Sequence, residues 1–155
     1  MELCHAHSQQ FLYPPHDQRT QLEAQDWHLS ETQFDTLLTA GHLVEYDCSD
    51  LASYLMRLVG VWPTSRGPGY TGTWLDLGLP RYTDGKQALI AAPVIFGAYP
   101  GHHMGLVFKP DAVKGNPLIF EHGSPGIALT PLESVVARQT GEGHPGYTFL
   151  NVSRM

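Results

Sequence analysis

The chain has 155 residues, a length that suits one domain around a single core, so we predict one domain spanning residues 1–155. Its 42% hydrophobic and 15% charged residues indicate a globular fold, and 16 glycines with 12 prolines indicate long loops. A net charge of −6 with only 9 lysines and arginines, and no basic run interleaved with aromatic residues, argues against nucleic acid or an anionic membrane surface as the main partner.

The first residues lack a basic segment followed by an apolar one, and no apolar run approaches the ~18 residues of a membrane span. We therefore expect a protein that is made in the cytoplasm without a signal peptide. Its two cysteines, Cys4 and Cys48, are too few for a disulfide framework, although one bridge between them stays open.

The N-terminal third carries weak signals followed by one strong one. Residues 2–12 have a faint helical pattern, and residues 13–29 are predicted to be a polar loop. Four histidines of this region are predicted to be surface residues: His5, His7, His16 and His28. Cys4, His5 and His7 together offer an incomplete metal site. Ser30-Glu31-Thr32-Gln33 has the pattern of a capping box and predicts a short helix that ends at Gly41.

Residues 46–60 predict a helix with a cysteine on its first turn. Asp47 is a good N-cap, Asp50 falls at N3, and Gly60 supplies the stop. The unpaired N–H groups and the positive end of the helix dipole favour a thiolate at Cys48. The two carboxylates oppose this effect, so the thiol needs a further partner. The alternative is that Cys48 is a small buried hydrophobic residue.

The segment after Gly60 is too broken for regular structure until about Thr71. This segment carries three aromatic residues: Trp62, Tyr70 and Trp74. They either line a groove or cover the core, and the sequence leaves both interpretations open.

The second half of the chain has short apolar or alternating runs bounded by glycine, proline and asparagine, which are typical of strands. We predict four antiparallel strands: residues 92–96, 104–108, 117–121 and 147–152. Residues 109–116 are predicted to be a loop. Thr130-Pro131-Leu132-Glu133 predicts a capping box that opens a helix through about Arg138. Helices first and strands afterwards indicate an α+β fold.

A cysteine nucleophile needs a base within hydrogen-bond reach, and the base needs an orienting group. His102 and His103 stand at the start of one predicted strand, and His122 follows another. If the two strands are neighbours, His103 and His122 lie side by side at one edge of the sheet. This set favours Cys48 as a catalytic nucleophile.

Several segments resemble NlpC-type cysteine peptidases, papain-like enzymes that cut peptidoglycan stem peptides. Asp47-Cys48-Ser49-Asp50-Leu51 is similar to the family's Asp-Cys-Ser-Gly-Leu signature, and residues 101–108 resemble its Gly-His-Val-Gly-Ile strand. Phe120-Glu121-His122-Gly123-Ser124 is similar to a Ser-His-Gly-Ser segment of phage-encoded members, and residues 69–75 resemble their Gly-Tyr-Thr-Gly-Thr segment. The N-terminal Cys4-His5-Ala6-His7 also resembles theirs.

The resemblance implies a papain-like NlpC-type domain, in which N-terminal helices that include the Cys48 helix pack on a C-terminal antiparallel sheet. It implies a peptidoglycan hydrolase with the triad Cys48, His103 and His122, and without a metal or other cofactor. The remaining predicted site residues are substrate-binding ones: Asp47, Ser49, Tyr70, Trp74 and His102. The implied setting is a phage endolysin or a tail-associated enzyme that reaches the cell wall through a holin or the virion, with other tail or lysis proteins as partners.

The sequence also departs from the family pattern. Asp50 stands where the family has Gly or Ser, and residues 91–94 replace a Gly-Asp pair. The family's tyrosine near the active site has no clear match, and Tyr13 and Tyr46 are candidates. Two alternatives therefore stay open: an inactive tail module on the same fold, and a metallohydrolase that uses His102, His103, His122 and Glu121. Adjacent histidines on a strand point to opposite faces, which is poor zinc spacing.

Overall fold

The computed structural model describes residues 1–14, 27–63, 65–124 and 126–155. It is a mixed structure of helices and an antiparallel sheet, in agreement with the α+β class predicted from the sequence. Most of the predicted polar loop at residues 13–29, including His16, lies outside the described residues.

The N-terminal half is mainly helical. Its helices are α1 (Glu2–Ala6), α2 (Glu31–Thr39), α3 (Cys48–Leu58) and α4 (Thr71–Leu75), with a 3₁₀ turn at Ser8–Gln10. Two short strands, β1 (Phe11–Leu12) and β2 (Val44–Glu45), pair in parallel. The capping box of α2 is confirmed, because the Ser30 side chain accepts from Gln33 N and the Gln33 side chain accepts from Ser30 N.

The C-terminal half forms a six-stranded antiparallel sheet. Its strands are β3 (Arg81–Tyr82), β4 (Pro93–Phe96), β5 (His103–Lys109), β6 (Leu118–Gly123), β7 (Gly126–Pro131) and β8 (Tyr147–Leu150). They lie in the order β3-β8-β4-β5-β6-β7, and helix α5 (Leu132–Gly141) follows β7. Short 3₁₀ turns occupy Gly85–Gln87 and Val152–Arg154.

All four predicted strands are confirmed, whereas the predicted cap of the last helix is wrong. Thr130 belongs to β7, Pro131 is the N-cap, and neither residue supplies a side-chain cap to α5. Instead, the Asn116 side chain accepts from the backbone N–H of Glu133 at 3.0 Å. The start of α5 is therefore held by the loop between β5 and β6 rather than by its own first turn.

The two faces of the sheet are both buried, and each carries alternate residues of the strands. Met104, Leu106 and Phe120 share a core with α3 and the N-terminal segment. Val107 and Ile119, their chain neighbours, share the other core with Leu132 and Val135 of α5. Because side chains alternate along a strand, this division fixes which layer each polar residue of β5 and β6 enters.

Trp62 and Trp74 belong to the α3 core. Their side chains are buried, and the ring centroids lie 4.3 Å apart. Among the described residues, no helix combines the length and apolar content needed to cross a membrane.

Candidate active site

A cleft of about 800 Å³ opens where β5 begins and β6 ends. It is lined by the first residues of α3 and α4, by the turn between β6 and β7, and by the last turn and a half of α5. Its volume lies within the range of pockets that bind small ligands or short peptide segments. The two helical layers therefore both contribute walls to one cavity.

Cys48 is the first residue of α3 and lines this cleft. Asp47 is its N-cap as predicted: one carboxylate oxygen accepts from the backbone N–H groups of Ser49 and Asp50, each at 2.8 Å, and from the Ser49 hydroxyl at 2.9 Å. The thiol is free and 7% exposed. The cap thus fixes the first turn of the helix and with it the position of the sulfur.

His103, the first residue of β5, connects the thiol to a carboxylate. Its ring hydrogen-bonds with Cys48, and its Nε2 lies 2.7 Å from Glu121 Oε2. Since an imidazole has two nitrogens, this leaves Nδ1 available to the sulfur. Burial disfavours the cation, but the hydrogen bonds and charges of Cys48 and Glu121 outweigh it and raise the pKa of His103 to about 9. The ring is therefore poised to hold a proton beside the sulfur.

Glu121 is a buried carboxylate, 4% exposed, that is also bound by Arg138 of α5. Arg138 donates from Nη1 to Oε1 at 3.1 Å and from Nη2 to Oε2. Burial raises the pKa of this carboxyl group, but hydrogen bonds from His103 and Arg138 outweigh burial and lower it to about 2. Glu121 is therefore an anion at neutral pH, and it orients and stabilises a protonated His103.

The predicted partner of His103, His122, lies on the other side of β6. Gly105 pairs with Glu121 across β5 and β6, so His103 and Glu121 share one face and His122 shares the opposite face with Met104. His122 Nε2 donates to the Leu12 carbonyl, 3.3 Å away, and burial lowers the pKa of the ring so that it stays neutral. The orienting position expected for His122 is thus occupied by Glu121.

Tyr13 provides a further contact to the thiol. Its hydroxyl donates to Cys48 Sγ at 3.8 Å, and its ring packs edge-on against His122 with centroids 5.2 Å apart. His122 therefore fixes the segment that carries Tyr13 rather than the ring of His103. Tyr46, the other candidate, does not line the cleft, and its buried ring stacks on Tyr54.

Four of the five predicted substrate-binding residues line the cleft: Asp47, Ser49, Tyr70 and His102. Tyr70 is 56% exposed, whereas the His102 ring stacks on His144 with centroids 3.4 Å apart. Trp74 does not reach the cleft, because its indole is fully buried and its Nε1 donates to Ser53 Oγ at 2.9 Å. Of the loop aromatics, only Tyr70 is placed to contact a ligand.

Asp50 is buried and is not among the residues that line the cleft. It follows Cys48 by two residues, roughly 200° around the helix axis, so its side chain leaves the helix on a different side from the thiol. The Asp50 carboxyl group is therefore directed away from the sulfur.

Sequence reasoning missed the contribution of α5 and its C-cap, which bring Arg138, Gln139 and Glu142 to the cleft. It considered Glu121 only as a metal ligand. A usable signal is present in the sequence, because a carboxylate directly after the apolar run Leu118-Ile119-Phe120 needs a charged or hydrogen-bonded partner if it is buried. The described part of the chain contains no group of three or more His, Cys, Asp or Glu side chains placed to share a metal ion.

Comparisons of the chain with protein-family models, with curated proteins and with solved structures find no match. The chemistry of the site thus rests on its geometry. A thiol at a helix N-terminus, a histidine that can take its proton and a buried carboxylate that orients the histidine are the parts that acyl transfer requires.

Proposed function

We propose that the protein is a cysteine hydrolase that cuts an amide bond in the stem peptides of bacterial peptidoglycan, on a papain-like NlpC-type domain. The observation that carries the proposal is the continuous contact from Cys48 through His103 to the buried carboxylate of Glu121. The motif resemblance around Cys48, His103 and residues 120–124 supports the same class.

In the first half of the reaction, His103 takes the Cys48 proton and the sulfur attacks the peptide carbonyl carbon. A C–S bond forms, and the carbonyl oxygen becomes an oxyanion. The backbone N–H of Cys48 binds this oxyanion, and the Tyr13 hydroxyl, 3.8 Å from the sulfur, is a candidate for a second donor. The C–N bond then breaks, and the departing amine takes the proton from His103. A thioester to Cys48 remains.

In the second half, His103 removes a proton from water, which attacks the thioester carbonyl. The C–S bond breaks, the carboxylic acid leaves, and the sulfur recovers its proton from His103. Glu121 holds the His103 ring in place through both halves and offsets the charge of the imidazolium. Arg138 keeps the carboxylate of Glu121 in position by binding its two oxygens.

The phage-like segments support a lytic or tail-associated role. We propose that the protein acts at the bacterial cell wall after passage through a holin or as part of the virion tail, together with other lysis or tail proteins. Peptidoglycan is the proposed substrate because the resembling family cuts it.

The test is mass spectrometry of fragments released from purified peptidoglycan of defined composition. The native protein is expected to release stem-peptide fragments, and Cys48→Ala to release none above background. Cys4→Ala is the matched control, since Cys4 is the other buried free cysteine and does not line the cleft. Full activity of Cys48→Ala would contradict the mechanism. Absence of release by the folded native protein would instead favour an inactive tail module.

A further inference from the structure

The cleft continues past Glu121 along the last turns of α5, where Gln139 is the informative residue. Gln139 is a polar side chain that lines the cleft and is only 4% exposed. Its Nε2 donates to Glu142 Oε2 at 3.2 Å, which sets the orientation of the amide, because the oxygen cannot face a carboxylate. Its Oε1 is buried and accepts from no described residue.

A buried acceptor without a donor costs free energy, and native structures keep few of them. At the wall of a cleft, such an acceptor is completed when a ligand donates an N–H or O–H to it. Gln139 Oε1 therefore selects for a donor on whatever occupies this end of the cleft.

The surrounding charges select the kind of donor. The terminal nitrogens of Arg138 are bound to the two oxygens of Glu121, which offset its charge. Glu142 is exposed and lines the cleft, and it accepts from the Gln139 amide. The charge of Arg138 acts on it, but no described Lys, Arg or His nitrogen lies within 4.0 Å of its carboxylate. Glu142 therefore places a carboxylate beside Gln139 that no cation contacts directly, and a cationic donor fits both groups better than a neutral one.

We propose that Gln139 and Glu142 form a subsite for a primary ammonium group of the substrate, which donates to Gln139 Oε1 and pairs with the Glu142 carboxylate. In a stem peptide, such a group is the free side-chain amine of a diamino acid residue. The subsite rests on the proposed function in that its ligand belongs to the peptidoglycan substrate.

The test measures binding rather than turnover. Two synthetic stem tetrapeptides, one with lysine and one with Nε-acetyl-lysine, are titrated into the Cys48→Ala protein by calorimetry. We expect the free amine to bind about tenfold more tightly, the effect of one charge-assisted contact. Glu142→Gln and Gln139→Met, each in the Cys48→Ala background, should reduce this preference to within about twofold.

Glu133→Gln is the matched control, because it removes the same charge from the exposed start of α5 outside the cleft, and it should keep the full preference. Equal affinity for the two peptides, failure of both to bind, or a preference that survives Glu142→Gln would overturn the subsite. If the Cys48→Ala protein prefers the free amine but the native protein does not cleave that peptide, the proposed function alone is contradicted. If the native protein cleaves both peptides and the Cys48→Ala protein binds them with equal affinity, the subsite alone is contradicted.

Discussion

Glu121 and His122 are neighbours on β6, yet they serve opposite layers of the molecule. Glu121 enters the layer of α5, where it binds His103 and Arg138. His122 enters the layer of α3, where it holds the Leu12 carbonyl and packs against Tyr13. One side of the strand orients the His103 ring, and the other anchors the N-terminal segment.

The two environments also shift the pKa values of His103 and His122 in opposite directions. Interactions with Cys48 and Glu121 outweigh burial and raise the pKa of His103 to about 9, whereas burial outweighs the backbone hydrogen bonds of His122 and lowers its pKa. Burial alone therefore does not make a histidine a base, because the charge of its hydrogen-bond partner decides whether the ring can hold a second proton.

The largest effect is expected from Glu121→Gln. The single amide oxygen would be claimed by Arg138, which leaves an N–H facing His103 where the base needs an acceptor. We predict that kcat falls about a hundredfold with KM little changed. Steady-state kinetics on a defined stem peptide measure both parameters, with Glu133→Gln as the control. Unchanged kcat in the folded variant would remove Glu121 from the mechanism.

A smaller effect, on stability rather than turnover, is expected from His122→Phe. The ring volume is kept, but the Leu12 carbonyl loses its donor, so the free energy of unfolding should fall by about 1–3 kcal/mol. Urea denaturation measures this change. The folded variant should keep kcat within about tenfold of the native value, since His122 acts only through the Tyr13 segment. A hundredfold loss of kcat with native stability would return the orienting role to His122, as the sequence suggested.

The smallest effect is the pH dependence of stability. Because the folded pKa of His103 is raised, its contribution is full below pH 6.5 and is lost as pH rises through about 9. Because that of His122 is lowered, its contribution is present above pH 6.5 and is lost as pH falls below it. Both losses should appear in urea denaturation series recorded across this pH range. His103→Gln should remove only the alkaline loss and His122→Phe only the acid loss; the reverse assignment would contradict the comparison.

The sequence predicts best what depends on local contacts. The starts of α2 and α3 follow from Ser30 and Asp47, because an N-cap needs only the next three residues. The strands of the second half follow from apolar runs between turn residues. Strand β7 was not predicted, because it ends in Pro131 and gains its regular pairing only from β6.

The orienting residue was missed because it depends on register and pleat. Choosing between Glu121 and His122 requires knowing that Gly105 pairs with Glu121, which no local pattern reveals. The wall formed by Gln139 and Glu142 was missed for a similar reason: the helix was predicted, but its position over the end of β6 depends on contacts distant in sequence.

The most direct test of the account is competitive alkylation of the native protein with iodoacetamide at pH 6, followed by peptide mass spectrometry. Both thiols are buried, but burial raises the pKa of Cys4 to about 11, whereas Cys48 is paired with His103 at the cleft. We predict that Cys48 is modified at least about a hundredfold faster than Cys4, and that His103→Gln slows the modification of Cys48 at least about tenfold while that of Cys4 is unchanged. Slow modification of both thiols, or a fast reaction at Cys48 that is unchanged in His103→Gln, would contradict activation of Cys48 by His103.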